Sequence, residues 1–232
     1  MIHEDGAVTS GRSVLLVEDH ELLAETLRVA LMAEGIPVRI VAPTSAAAVL
    51  AAAADNRQAL ILLDLDLGEG VGDGTTLIGP LIGLGNTVLV VTGSTVRVQI
   101  AAAVESGAVG YLLKSTSFDR LLAIVRDALA GRPVLSEMER FELLALLRRH
   151  RAEEAGRRVP FDRLSPREKQ VLRALVEGHG VDSIAERWVL SPATVRTQVR
   201  GILTKLGVRT QLAAVACARE AQWLDGGELP RS

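Results

Sequence analysis

Cys217 is the single cysteine in a chain of 232 residues. An internal disulfide is therefore excluded. The sequence also lacks any run of about 18 apolar residues, so a membrane-spanning helix is not expected. The stretch from Met1 to Arg12 carries Glu4 and Asp5 and has no apolar centre, so it does not read as a secretory signal. A cytoplasmic protein with no membrane partner is the expectation. Repeats and low-complexity segments are absent, apart from the alanine-rich stretch at 46–54. Apolar residues nonetheless make up 48% of the chain, enough for a packed core.

The net charge is only −2, but the charge is unevenly spread. Residues 1–130 hold 8 Lys and Arg against 15 Asp and Glu, whereas residues 157–220 hold 12 against 6. The stretch between them is balanced, with 5 of each at 131–156. An acidic half and a basic half imply two domains with different partners. A basic segment of roughly 60 residues is a common footprint of nucleic-acid binding.

Short apolar runs recur in the first half at Val14–Val17, Val38–Val41, Leu60–Leu63, Val88–Val91 and Val109–Leu113. They are nearly continuously apolar, as in a parallel sheet covered on both faces. Helical patterns fall between them near 20–34, 44–54, 75–83, 95–106 and 117–130. Five such units predict a doubly wound α/β domain with a five-stranded parallel sheet. Gly131-Arg132-Pro133 closes the last helix. Ser136 to Arg151 carries Met138, Phe141, Leu144 and Leu147 at helical spacing and reads as an amphipathic linker helix. Residues 152–163 are charged, contain Gly156 and Pro160, and read as a mobile connection.

From Leu164 the pattern is helical throughout. Ser165-Pro166-Arg167-Glu168 combines an N-cap serine, a first-position proline and a capping-box glutamate, and Gly178 ends that helix. Ser191-Pro192 opens another in the same way, with Val195, Val199, Leu203 and Leu206 as its apolar stripe and Gly207 as its stop. A short helix is expected at Ser183 to Trp188 and a last one at Arg209 to Ala218. The predicted domains are a flexible tail (1–12), an α/β domain (13–131), a linker with its helix (132–163), an all-α domain (164–220) and a carboxyl-terminal tail (221–232).

Ligands of an open α/β sheet sit at the carboxyl ends of its strands. The first strand here ends in Glu18-Asp19 and the third in Asp64-Leu65-Asp66. Thr92 ends the fourth, and Lys114 follows the fifth. If the first, third and fourth strands are neighbours, several carboxylates converge and require a cation. Oxygen ligands suit Mg²⁺. A hydroxyl and an ammonium beside them suit a phosphoryl group, and a carboxylate attacking phosphorus would give an acyl phosphate.

The order of these residues resembles the receiver domain of bacterial response regulators, over residues 13–131. The resemblance implies the flavodoxin-like fold and makes Asp64 the phospho-acceptor. It assigns Mg²⁺ to Glu18, Asp19, Asp64 and the backbone carbonyl of Asp66. Thr92 and Lys114 become the phosphoryl-binding residues, and Tyr111 matches the aromatic that swings inward on activation. Gly110-Tyr111-Leu112-Leu113-Lys114 is similar to the form seen in the NarL/FixJ subfamily. The loop after the acceptor departs from the family: at Leu67 to Gly74 it is glycine-rich, lacks the usual proline and is about two residues longer. It is expected to be mobile. Two enzyme readings fit less well. Asp64-Leu65-Asp66-Leu67 looks like the opening motif of haloacid-dehalogenase phosphatases, but that motif follows a first strand and leaves Glu18-Asp19 unexplained. The alternating glycines at 68, 70, 72 and 74 lack the lysine of a nucleotide-binding loop.

Residues 164–218 resemble the LuxR-type helix-turn-helix. Leu164-Ser165-Pro166-Arg167-Glu168, Val171-Leu172, Glu177-Gly178, Ile184-Ala185-Glu186, Leu190-Ser191, Thr194-Val195-Arg196 and Lys205-Leu206-Gly207-Val208 carry the match. On the helix from Pro192, Arg196 and Arg200 lie four apart, off the apolar stripe, with Thr197 beside them. That polar face is what a recognition helix presents to the major groove. Arg196, Thr197 and Arg200 are the expected base readers. Lys205, Arg209 and the arginines near 157–173 are the expected phosphate contacts. Gly180-Val181-Asp182-Ser183 departs from the family's usual Ser-Asn-Lys-Glu, and Gln198 replaces a frequent histidine.

The two resemblances imply a sequence-specific transcription regulator, not an enzyme. A sensor histidine kinase would phosphorylate it, double-stranded DNA would be its target and RNA polymerase a further partner. Activation would drive homodimer formation through apolar faces that include Phe141, Leu144, Leu147, Leu212 and Val215. The alternative is an orphan DNA-binding regulator whose receiver answers to a partner or ligand instead of phosphorylation.

Overall fold

The computed structural model describes residues 13–223. The expected amino-terminal tail and residues 224–232 of the expected carboxyl-terminal tail lie outside them. Residue contacts divide the chain into two units that meet between Arg148 and Arg149. Each is described by itself.

The first unit is built on five parallel strands, β1 (Val14–Val17), β2 (Val38–Val41), β3 (Leu60–Leu63), β4 (Thr87–Thr92) and β5 (Gly110–Leu113), in the order β2-β1-β3-β4-β5. Its helices are α1 (Glu21–Ala33), α2 (Ala46–Ala54), α3 (Gly68–Val71), α4 (Thr75–Gly83), α5 (Arg97–Glu105) and α6 (Phe118–Leu129), followed by α7 (Glu137–Asp162). Successive residues of each strand enter opposite cores, because side chains alternate across a pleated sheet. Leu15, Val17, Ile61, Leu63, Val88 and Val90 pack with α2 and α4. Val14, Leu16, Leu60, Leu62, Leu89 and Val91 pack with α1 and α6. Every residue of β1 and β3 is buried, which is why these segments carry no polar position. Burying one such leucine contributes about 1.5–3 kcal/mol. This is the doubly wound sheet expected from the sequence, and β1, β3 and β4 are neighbours as the convergence of carboxylates requires.

Helix α7 differs from the sequence reading in two ways. It continues without interruption through Gly156 to Asp162, where a mobile connection was expected. Arg151 to Ala155 are good helix formers, and Pro160 falls in the final turn, so the one hydrogen bond its missing N–H removes lies at the helix end. Its buried stripe is also rotated. Leu143 and Leu147 pack with Ile100, Ala101, Val104 and Leu135. Met138 is 68% and Phe141 63% exposed, so the one-per-turn pattern from Met138 does not mark the buried face. Leu147, expected on a dimer face, lies inside this core.

The second unit contains α8 (Pro166–Val176), α9 (Val181–Arg187), α10 (Pro192–Leu206) and α11 (Gln211–Glu220). The capping box forms as expected. Glu168 N–H donates to Ser165 Oγ at 3.3 Å, and Ser165 N–H donates to Glu168 Oε2 at 2.6 Å. Ser191 caps α10, and Gly207 ends it at a φ of 69°, a left-handed conformation that glycine adopts without strain. The inward residues of α10 are Val195, Val199 and Ile202, with Leu203 and Leu206 only partly buried. The core also takes Ala221 and Trp223, whose ring stacks on Phe161 at 5.6 Å. The tail expected from residue 221 thus begins later, because two apolar side chains beyond α11 still find the core.

Candidate functional site

Three parallel strands deliver an acidic pocket at their carboxyl ends. Glu18 follows β1, Asp64 follows β3 and Thr92 ends β4, and all three are buried. Lys114, directly after β5, reaches across them. Its Nζ lies 2.7 Å from Asp64 Oδ2 and 2.7 Å from Glu18 Oε2. Burial alone would lower the lysine's affinity for its proton, but the two carboxylates outweigh it and hold the pKa above the usual 10.5. One ammonium thus sits between two buried carboxylates.

Asp19 stands at the mouth of the pocket and adds a third negative charge. His20, absent from the sequence-based site, joins it: Nδ1 lies 2.7 Å from Asp19 Oδ1 and 3.0 Å from Glu18 Oε1. The hydrogen bond to Glu18, then the charge of Asp19, raise its pKa above 6.5. Its position right after Glu18-Asp19 was the available signal. Glu18, Asp19, His20 and Asp64 each offer a ligand atom within 4.8 Å of the others. Three carboxylates with one ammonium leave room in the charge balance for a divalent cation, and oxygen donors match a hard ion such as Mg²⁺. Asp66 is exposed, donates its N–H to Asp64 Oδ1 at 3.2 Å and bridges Asp73. Thr92 Oγ1 accepts from the Ser94 N–H at 3.0 Å.

The loop over the acceptor, expected to be mobile, is closed here by its own backbone hydrogen bonds. Gly74 N–H donates to Leu65 O at 2.8 Å, Leu67 N–H to Gly72 O at 3.1 Å, and Leu67 is 2% exposed. Its four glycines have two distinct causes. Gly68 and Gly72 hold φ values of 63° and 73°, which disfavour other residues. At Gly70 a Cβ would come within 2.8 Å of the carbonyl oxygens of Pro43 and Thr44, and at Gly74 it would collide with the Asp64 carbonyl.

Tyr111 lies on β5, three residues before Lys114. Its hydroxyl donates to Glu139 Oε1 on α7 at 2.9 Å. Burial first, and this carboxylate next, raise the phenol's pKa above 10.0. A cavity of about 520 Å³ opens beside the pair, lined in part by Arg97, Ser136 and Glu142. Glu139 is 28 residues from Tyr111, and no local pattern marked it.

In the second unit the exposed face of α10 carries Arg196, Thr197 and Arg200 together, and Arg209 is exposed before α11. Thr197 Oγ1 donates back to Ala193 O at 3.0 Å. Lys205, near the end of the same helix, makes an ion pair within the unit. Its Nζ lies 2.6 Å from Glu168 Oε2, so the ammonium serves a carboxylate that is 6% exposed. Of the expected dimer residues here, Leu212 is 78% exposed and Val215 packs partly into the core.

Residues 14–126 match the response regulator receiver domain, and residues 162–218 match the bacterial regulatory proteins of the luxR family. The nitrate/nitrite response regulator protein NarP of Escherichia coli is 32% identical over 204 residues, covering 87% of this chain and 91% of its own. A nitrate/nitrite response regulator homolog of Haemophilus influenzae is 30% identical, covering 87% and 93%. The DNA-binding transcriptional activator DevR/DosR of Mycobacterium tuberculosis is 31% identical, covering 88% and 93%. Among solved structures, a complex of the two-component response regulator RcsB with DNA aligns at 24% identity, covering 90% of this chain and 98% of its own, with a TM-score of 0.47. Among the described residues no helix is long and apolar enough to cross a membrane. The chain belongs to the two-component response regulators of the NarL/LuxR family, transcription regulators that join a receiver domain to a LuxR-type DNA-binding domain.

Proposed function

We propose that the first unit is a phosphorylation switch and the second reads a specific DNA sequence under its control. The observation that carries the reading is the buried Asp64 carboxylate, held 2.7 Å from Lys114 beside Glu18 and Asp19. A carboxylate oxygen of Asp64 attacks the phosphorus of a phosphohistidine on a sensor histidine kinase. The phosphorus–nitrogen bond breaks, and Asp64 becomes an acyl phosphate. Glu18, Asp19, Asp64 and the carbonyl of Asp66 would hold Mg²⁺, whose charge neutralises the phosphoryl oxygens. Lys114 already touches the acceptor and is placed to exchange its contact with Asp64 for one with the phosphoryl group. Thr92, at the end of β4, supplies a hydroxyl to another oxygen, after which Tyr111 leaves Glu139 and turns inward.

In the second unit, Arg196, Thr197 and Arg200 face bases in the major groove, and Arg209 with the arginines near 157–173 touches phosphates. Lys205 drops out of the phosphate set, because its ammonium is committed to Glu168. Activated protomers pair as a homodimer on a two-fold-related site in the cytoplasm, and RNA polymerase is a downstream partner. Incubation with Mg²⁺ and acetyl phosphate is expected to add one acid-labile phosphoryl group by intact-mass measurement, and Asp64→Asn to add none. Label on Asp64→Asn, or none on the wild type, would favour a receiver governed by a partner or ligand.

A further inference from the structure

The two arginines on the exposed face of α10 are not equivalent. Arg196 Nη2 lies 3.5 Å from Oδ1 of Asp182, in the first turn of α9. Arg200, one turn further along, has no ion-pair partner among the described residues. The side chains of Asp182 and Arg196 are 76% and 60% exposed. A pair so wet contributes little to folding. An acid on a face that meets a polyanion also weakens binding to any duplex. Its effect on Arg196 is of another kind. A guanidinium carries five donors in a rigid fork, and Nη2 has two hydrogens, so a charge contact on its Nε side leaves the other Nη2 hydrogen and the neighbouring Nη1 hydrogen as a parallel pair. A loose arginine neutralises whichever phosphate is nearest, whereas one held at an edge presents a fixed pair of donors, the geometry that fits O6 and N7 of guanine.

We infer that Asp182 is a positioning residue that sets sequence specificity: it withdraws Arg196 from promiscuous phosphate contact and aims its remaining donors at a base. The inference rests on α10 being the base-reading helix. Asp182 also lies in the first turn of α9, where a negative charge favours the helix dipole. That structural role predicts a change in melting temperature and none in sequence preference.

The test begins with the best duplex that the full chain selects from a randomised pool. Dissociation constants are measured for that duplex, for one altered at the base pair where Arg196→Ala relaxes preference, and for sheared random-sequence DNA, at several salt concentrations, with melting temperatures alongside. Asp182→Asn is expected to lower the preference for the best duplex over random DNA on the order of fivefold. It should tighten binding to random DNA and steepen its salt slope by about one unit. Combined with Arg196→Ala, it should remove no further discrimination. If Asp182→Asn keeps the full preference while Arg196→Ala relaxes it, the inference is overturned and the base-reading helix stands, whatever the melting temperature does. If Arg196→Ala itself leaves preference unchanged, or the wild type selects no duplex, the base-reading assignment falls and this inference with it.

Discussion

Val189 holds a φ of 55° while 92% exposed, in the turn between α9 and α10. The conformation closes α9: Val189 N–H donates to Glu186 O at 3.2 Å, and Leu190 N–H to Ala185 O at 2.9 Å. Glycine normally fills such a left-handed helix end, because any Cβ there crowds the following carbonyl, and a β-branched one crowds it most. The valine recovers nothing by packing. Val189→Gly is therefore expected to stabilise the second unit by about 1 kcal/mol, the relieved strain exceeding the added chain entropy. Urea unfolding followed by Trp188 and Trp223 fluorescence measures it, and a lowered midpoint would show that the strain is not there. Nothing in the sequence marked this position. Propensity reads valine as neutral beside Leu190-Ser191, and the strain exists only because the capping pattern of α9 requires that backbone.

Between helices, one carboxylate ties α8 to α10. Glu168 accepts from Ser165 at the start of α8 and from Lys205 near the end of α10. Gly201 allows the approach, since a Cβ there would run into Glu168 Oε1. Burial pushes the Glu168 pKa up, but Lys205 and Ser165 together hold it below the ordinary 4.5. A depressed carboxylate stabilises the fold above its unfolded pKa and loses that contribution as pH falls through the folded value. The second unit should accordingly lose stability progressively below about pH 4.5, and Lys205→Ala should flatten that acid limb. At neutral pH Lys205→Ala should cost about 1–3 kcal/mol, because it leaves a buried carboxylate without its counter-charge. Chemical denaturation across pH checks both, and an unchanged acid limb would assign the loss to other carboxylates. In the first unit, Tyr111 and Glu139 fasten the start of α7 above Leu143 and Leu147. Glu139→Ala or Tyr111→Phe should raise amide exchange at 137–147 by roughly threefold to tenfold, the loss of a bond worth about 0.5–1.5 kcal/mol. Protection equal to wild type would mean that the two leucines alone hold the helix.

Among the described residues, each hydrophobic core draws its buried residues from one unit, Val14 to Leu147 or Phe161 to Ala221. Calorimetry is therefore expected to resolve two transitions. Mg²⁺ at 100 times its dissociation constant should stabilise only the first unit, by about 2.7 kcal/mol, and Asp64→Asn should remove most of that gain. A single transition that moves as a whole would instead mean that the units unfold together. The division into two units was legible because charge, apolar-run length and helix punctuation all change along the chain. The strands were legible within a residue or so because burial on both faces leaves no room for polar positions. Asp64, Glu18, Thr92 and Lys114 were found because each ends or follows a strand. The rest was set by tertiary geometry. The face that α7 buries was decided by what α5 offers it, and Lys205 found Glu168 across 37 residues.

The glycines at 68, 70, 72 and 74 look in composition like a linker, the kind of stretch expected to drift freely between relatives. Two are fixed by backbone torsion and two by the carbonyls they press against, one of these belonging to Asp64 itself. The freedom to vary is thus inverted. Changes in this loop should collect at Glu69, since Val71 packs against the core and Asp73 accepts from the Thr75 N–H, whereas the four residues with no side chain at all are the ones evolution can least replace.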